Sequence, residues 1–449
     1  MIQRGRDSNS AQSGGFNLET SLSEPAGKIH LQQDVYCIPT VAPLKDFETF
    51  GRKTLRCLGL FDEAERFTLE RSEQDLDKVA KLLWAMNQFL YVTTDELQGD
   101  AISAYHRFWR DNHEQLLDLR IDEPKCARVA DILEILFATH ADRLRPNLDG
   151  ITSLTPELIA NARFFTAVQD FTIRLRQSPY QVASRHPELF DASRIAEEGE
   201  VIDSLLRELG AESQYDKRRK FARLCAELLL EHYDGQARNI PDAHRRNAVE
   251  IRNNLVDNPH ERFKGSLGFS EKKANMLIRD LYELGVWSNL SNLEGLDVSS
   301  DANTMRIALR LGILRSRIPL LTSYLDVYCY QYNLMNKVAS RAWREVWNKW
   351  GERQSNHRVA APAFFDFLVY RIGQICCRPN TRACDLPCRG SRLQQLRALI
   401  PDTDGYCPFR GLEEETTIML NPPRSISIFG RTGWISGKTN AGGGGGISS

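Results

Sequence analysis

The stretch Phe263-Lys264-Gly265-Ser266-Leu267-Gly268-Phe269-Ser270-Glu271-Lys272-Lys273-Ala274-Asn275 reads as a glycine turn feeding a helix. Two glycines three apart, Gly265 and Gly268, admit a tight turn where a side chain would clash. Ser270 is a good N-cap for a helix starting at Glu271, which would bury Ala274, Leu277 and Ile278. A glycine turn entering a helix N-terminus offers backbone N–H groups to a phosphate, and Lys272 and Lys273 add positive charge beside them. Such contacts position a protein on DNA without reading its sequence. Taken alone the signal is weak, because glycine-turn-helix junctions are common.

Outward from this hairpin the pattern is helical. Phe221, Leu224, Cys225, Leu228 and Leu229 form one stripe, Ala248, Ile251 and Leu255 another, and Met305, Ala308 and Leu309 a third. Trp343, Trp347 and Trp350 recur at helical spacing, which reads as core rather than as a base-stacking platform. The half before residue 210 carries similar stripes, such as Val129, Ile132, Leu133 and Leu136, but no recognisable chemistry. The expected fold class is therefore all-α. The expected division is a flexible tail over 1–27, a separate helical domain of unassigned role over 28–210, a DNA-binding helical module over 211–375, a cysteine metal loop over 376–410 and a flexible tail over 411–449.

The chain has 449 residues, 42% hydrophobic and 26% charged, which is ordinary for a soluble globular protein. The apolar runs are too short for a membrane span, and no apolar signal region follows the N-terminus. The expected compartment is the cytoplasm, at the nucleoid, with no membrane partner and a monomeric state. Net charge is −1, but residues 214–280 and 371–410 each carry +4, so two basic stretches stand on an acidic body. Of ten cysteines, five (Cys376, Cys377, Cys384, Cys388 and Cys407) fall within 32 residues, which asks for a metal or cluster explanation.

Residues 300–312, Ser-Asp-Ala-Asn-Thr-Met-Arg-Ile-Ala-Leu-Arg-Leu-Gly, supply the second element. With the hairpin they resemble the helix-hairpin-helix DNA glycosylases, the group of endonuclease III and the adenine mismatch glycosylase. The family hairpin has a proline where Leu267 stands and a second glycine where Ser270 stands. Asp301, Arg306, Arg310, Leu311 and Gly312 fall on the family's catalytic segment, and Asn303 is similar to the adenine mismatch glycosylase pattern. The segment Val286–Val298 reads as an insertion able to reshape the base pocket. The family also carries a four-cysteine [4Fe–4S] loop after its last barrel helix. In this chain the gaps after Cys377, Cys384 and Cys388 are six, three and eighteen residues. The first gap and the location agree with the family, the second is one longer and the third much longer. Four thiolates could still converge if Gly390–Tyr406 loops out, and Cys376 could replace Cys377. Zinc could use the same four cysteines.

The resemblance implies a two-lobed helical module that flips a base out of duplex DNA and cleaves its N-glycosidic bond. That reaction passes through an oxocarbenium-like sugar, which a carboxylate stabilises. Asp301 is the candidate; its alternative role is a helix N-cap. Lys272 lies where bifunctional members carry a Schiff-base lysine, which must be neutral to attack and so needs a lowered pKa, with Lys273 as one neighbouring cation. Its alternative role is an exposed phosphate-binding lysine. The DNA-contact set is Gly265, Leu267, Gly268, Phe269, Ser270, Lys273, Asn303 and Arg306. Arg378, Arg382, Arg389 and Arg392 around the cysteines are expected to face phosphates. The expected function is a glycosylase that removes a damaged, mismatched or modified base and leaves an abasic site, with a hypermodified base of invading phage DNA as one candidate substrate. Rival expectations are a base-modifying group-transfer enzyme on the same scaffold and a non-catalytic structure-specific DNA-binding protein.

Overall fold

The computed structural model describes residues 117–144, 151–170, 177–211, 213–316, 327–353, 355–377 and 386–413, with a few isolated positions besides. These residues are all-α in class, with thirteen α-helices and only two-residue strands among them. The chain divides into two compact units, one of residues 1–116 and 428–436, the other of residues 117–427 and 437–449. Of the first unit, the described strands are β5 (Ile428–Phe429) and β6 (Trp434–Ile435), an antiparallel pair. The second unit contains all thirteen helices.

Local chemistry starts these helices. Asp122 accepts from the Lys125 N–H to cap α1 (Glu123–His140), Thr155 caps α2 (Pro156–Gln169), Ser178 caps α3 (Pro179–Arg185) and Asp191 caps α4 (Ala192–Glu197). The first three also place proline in the first turn, where its missing N–H costs nothing. Then follow α5 (Gly199–Leu209), α6 (Tyr215–His232), α7 (Ile240–Ala243), α8 (Ala248–Val256) and α9 (Glu271–Glu283). The last four are α10 (Ala302–Arg310), α11 (Cys329–Gly351), α12 (Asp366–Ile375) and α13 (Ser391–Leu399).

One apolar core runs without a break from Ile159 on α2 to Leu296, and takes in Ala361, Ala363 and Phe364. No boundary falls at residue 210: α2–α5 bury their apolar faces against α6–α9, since α5 and α6 are each apolar on one side and cover one another. The expected separate helical domain is corrected accordingly. A second set of buried side chains lies outside that core, among them Val129 and Leu133 on α1, Met305 and Leu309 on α10, Trp343 and Trp350 on α11, and Leu368 and Ile372 on α12. Here α1 returns to pack on α11: Phe137 and Trp350 lie 5.4 Å apart, the Trp350 indole donates to Glu134, and Arg353 pairs with Asp131. The strands β1 (Arg120–Ile121) and β2 (Leu314–Arg315) pair antiparallel and tie the start of α1 to the end of α10.

Three further expectations change. Val286–Val298 packs into the first core through Trp287, Leu290, Leu293 and Leu296, and its Leu296 carbonyl accepts from the Ala363 N–H, so it is part of the wall rather than a pocket insert. The cysteine segment is not a simple loop, because α13 occupies its middle. The expected C-terminal tail begins with the Gly411 and Leu412 carbonyls accepting from Arg128 and Lys125 of α1, and it contributes β4 (Ser425–Ile426), parallel to β3 (Val327–Tyr328). Among the described residues no helix is long and apolar enough to cross a membrane.

Candidate active site

Ser270 caps α9 as its residue type predicts, its hydroxyl accepting from the Lys273 N–H at 3.5 Å. Gly265 and Gly268 both hold left-handed backbone, with φ of 61° and 80°. Gly268 is needed for a second reason: a Cβ there would meet the Phe221 ring at 2.5 Å, whereas nothing lies within 4 Å of one at Gly265. Leu267 and Phe269 point into the first core, where Phe269 packs on Phe164 at 5.4 Å between centroids. Both side chains are buried, so they shape the hairpin from within rather than lying on its surface. Lys273 also turns inward. Its ammonium donates to the carbonyls of Gly268 (2.8 Å) and Val168 (3.0 Å), and burial lowers its pKa to about 8. This corrects its expected place on a DNA-facing surface.

Lys272, one residue earlier, projects the other way. Its Nζ stands 3.6 Å from Asp301 Oδ2. Burial alone would lower the pKa of this lysine, but the carboxylates of Asp301, Asp170 and Asp366 outweigh it, and the net direction is upward. The expected neutral, Schiff-base-ready lysine is therefore corrected: Lys272 is held as an ammonium. Lys273 is no cationic neighbour driving it neutral, because the helix sends the two side chains to different environments.

Asp301 performs the capping role and leaves half its carboxylate for another. Oδ1 accepts from the N–H groups of Asn303 (2.8 Å) and Thr304 (2.9 Å), and Thr304 Oγ1 accepts from the Asp301 N–H (2.6 Å), completing a capping box. Oδ2 faces Lys272 and the Asn303 amide, which lies 3.4 Å away. Asn303 in turn accepts from Arg306 Nη1 at 3.2 Å, and the same guanidinium nitrogen donates to the Cys377 carbonyl at 3.0 Å. Arg306 is thus buried as a brace between α10 and the end of α12, not displayed to DNA.

Helix α12 closes the site from a third side. Gly373 permits this, because a Cβ there would lie 2.8 Å from Asn303 Cβ. Asp366, Tyr370 and Gln374 recur every four residues along one face of α12. Asp366 is buried, accepts from Arg279 Nη1 at 3.2 Å, and among the described residues leaves Oδ1 without a hydrogen-bond partner. Burial raises its pKa to about 7, against the pull of Arg279 and Lys272. Behind it, Arg279 and Arg163 both bind Asp280, at 2.8 and 2.6 Å, so a buried network of two arginines and two carboxylates joins α2, α9 and α12. Those charges hold Asp280 below the ordinary carboxylate range despite its burial. Sequence reasoning missed Asp170, Asp366, Tyr370 and Gln374. For the last three the available signal was a polar stripe at helical spacing on a mostly apolar helix; Asp170, at the end of α2, carried none.

Beyond α12, Cys376, Cys377, Cys388 and Cys407 are buried, while Cys384, Arg378 and Arg382 lie outside the described residues. Arg389 is exposed and Arg392 half-buried. Cys376 and Cys388 bring their sulfurs to 3.8 Å, and Arg310 Nη1 lies 3.5 Å from Cys377 Sγ. The long gap after Cys388 is taken up by α13, and the Cys388 N–H donates to the Gly405 carbonyl at 2.7 Å, returning the chain two residues before Cys407. Among the described residues no three metal-ligating side chains converge on one point. Compared with models of known protein families and with curated proteins, the chain matches none.

Proposed function

We propose that this chain is a DNA N-glycosylase of helix-hairpin-helix architecture, which extrudes a modified base from duplex DNA and hydrolyses its N-glycosidic bond. The observation that carries the reading is the Lys272–Asp301 pair, 3.6 Å apart at the starts of α9 and α10, where the two cores meet. In this reading Asp301 Oδ2 stabilises the positive charge that develops at C1′ as the bond to the base lengthens. The bonding electrons leave with the base nitrogen, which takes a proton from solvent. Water forms the new bond to C1′ and gives its proton to the Asp301 carboxylate. Lys272 supplies the counter-charge beside this carboxylate, and its cationic state favours hydrolysis over an imine. Turn residues Gly265 to Ser270 and the exposed start of α9 are the proposed phosphate contact.

The buried cysteines fit a thiolate-rich centre by their donor chemistry, with the Arg310 guanidinium beside a sulfur as the positive complement. Cys384, Cys388 and Cys407, with Cys377 or Cys376, would hold a [4Fe–4S] cluster or zinc. When bound, the group supplies a structural cross-link across the segment that carries Arg389 and Arg392. The departures from the family hairpin at Leu267 and Ser270 support an unusual substrate, which we take to be a hypermodified base of invading phage DNA.

The test is a glycosylase assay on duplexes carrying uracil, mismatched, oxidised and hypermodified bases. Asp301→Asn keeps a competent N-cap, so it should melt like the wild type yet lose about a hundred- to a thousandfold in excision rate, the scale of a lost transition-state electrostatic contact. Equal activity of wild type and variant would refute the reading. Release of a base adduct in place of free base would select group transfer. Iron, sulfide and zinc analysis of the same preparation identifies the metal.

A further inference from the structure

Tyr370 sits midway along the polar stripe of α12, half-buried, and it plays no part in the mechanism above. Its hydroxyl oxygen accepts from Gln374 Nε2 at 2.6 Å. The orientation of that amide is fixed by chemistry: Gln374 Oε1 lies 3.1 Å from Arg371 Nη1, which can only donate, so the amide nitrogen must face the tyrosine. With its acceptor side filled by Gln374, the hydroxyl must send its hydrogen elsewhere. Among the described residues that hydrogen has no acceptor. Three residues on, Gly373 lies against Asn303, two residues after Asp301, and the charged groups that act on the phenol are Asp301 and Asp170 at the ends of α10 and α2, Lys272 on α9 and Arg371 on α12 itself. Burial and the two carboxylates push the phenol above its ordinary value, so it remains a donor throughout the physiological range.

We infer that Tyr370 is a substrate-contacting residue, its hydroxyl held by Gln374 so as to donate a hydrogen bond to an acceptor atom of the nucleotide extruded beside Asp301. The acceptor is an oxygen or nitrogen of the base edge, or an oxygen of the sugar-phosphate. Arg371 and Gln374 act through Tyr370 as positioning residues. The site so completed has one carboxylate for the sugar, one ammonium for charge balance and one neutral donor for recognition. The inference rests on the base-excision reading and adds a specificity element to it.

Tyr370→Phe tests this, since it deletes one oxygen and keeps the ring. Its melting temperature should match the wild type, while the single-turnover excision rate on the best duplex of the panel falls about tenfold, the scale of one hydrogen bond. Gln374→Leu should fall in the same direction by less, because the hydroxyl survives but is no longer aligned. A duplex carrying a tetrahydrofuran abasic analogue separates the two acceptors. Unchanged binding by Tyr370→Phe assigns the contact to the base, and weakened binding assigns it to the sugar-phosphate. If the wild type excises and Tyr370→Phe excises equally fast, this inference fails while the glycosylase reading stands. If the wild type binds the analogue but excises no base of the panel, both fail together.

Discussion

At the scale of single residues, the site is governed by how burial and neighbouring charge act on two groups. Lys272 is raised by its surrounding carboxylates and stays an ammonium near neutral pH. Borohydride should therefore trap no covalent enzyme–DNA adduct during excision, and strand cleavage should need added alkali. A trapped adduct that disappears in Lys272→Ala would show that the lysine does reach its neutral form. Asp366 is the opposite case, a carboxyl raised to about 7 by burial. An unfolded aspartate titrates near about 4. Between about pH 4 and 7 the native chain therefore holds a proton that the unfolded chain has released, so this group makes stability fall as pH rises across that window. Asp366→Asn cannot titrate. The wild type should lose melting temperature relative to this variant as pH rises from about 4 to 7. A parallel pair of pH profiles would show that Asp366 ionises as an ordinary carboxyl.

At the scale of elements, the hairpin shows how two glycines of like appearance do different work. Both sit at positive φ, but only Gly268 is also pressed against a ring, that of Phe221. Gly265→Ala should cost about 1 kcal/mol from backbone strain alone. Gly268→Ala should cost more, about 2–4 kcal/mol once overpacking is added. Urea unfolding of the two variants checks the order, and equal losses would mean that Phe221 moves aside freely. The capping residues Ser270 and Asp301 were legible in the sequence because a cap depends on residues within one turn. So was the burial of Trp343 and Trp350, which follows from helical spacing, whereas Trp347 on the same stripe is only half-buried. The packing of Val286–Val298 was not legible, because a loop's apolar residues do not say which wall they complete.

At the scale of the whole molecule, the buried pairs Arg163–Asp280 and Arg279–Asp366 lock α2, α9 and α12 around the site. A buried ion network adds little net stability against an apolar replacement, but removing one partner strands a charge. Asp280→Ala should therefore cost about 3–5 kcal/mol in denaturant unfolding; a loss under about 1 kcal/mol would mean that water reaches the arginines. This network also explains why residue 210 is no boundary: Arg163, before it, completes a charge set begun after it. By itself the sequence determined the helical class, the start of α9 at Ser270 and the placing of Asp301 at a helix N-terminus. Periodicity and capping are local, and their physics is complete within a turn or two. Only the tertiary structure decided that Lys272 meets Asp301, that α12 brings Asp366 and Tyr370 to the same place, and that Lys273 does not take part. Two adjacent lysines are indistinguishable as letters. On a helix they stand about 100° apart, and which one faces the cleft is set by the core against which the helix packs.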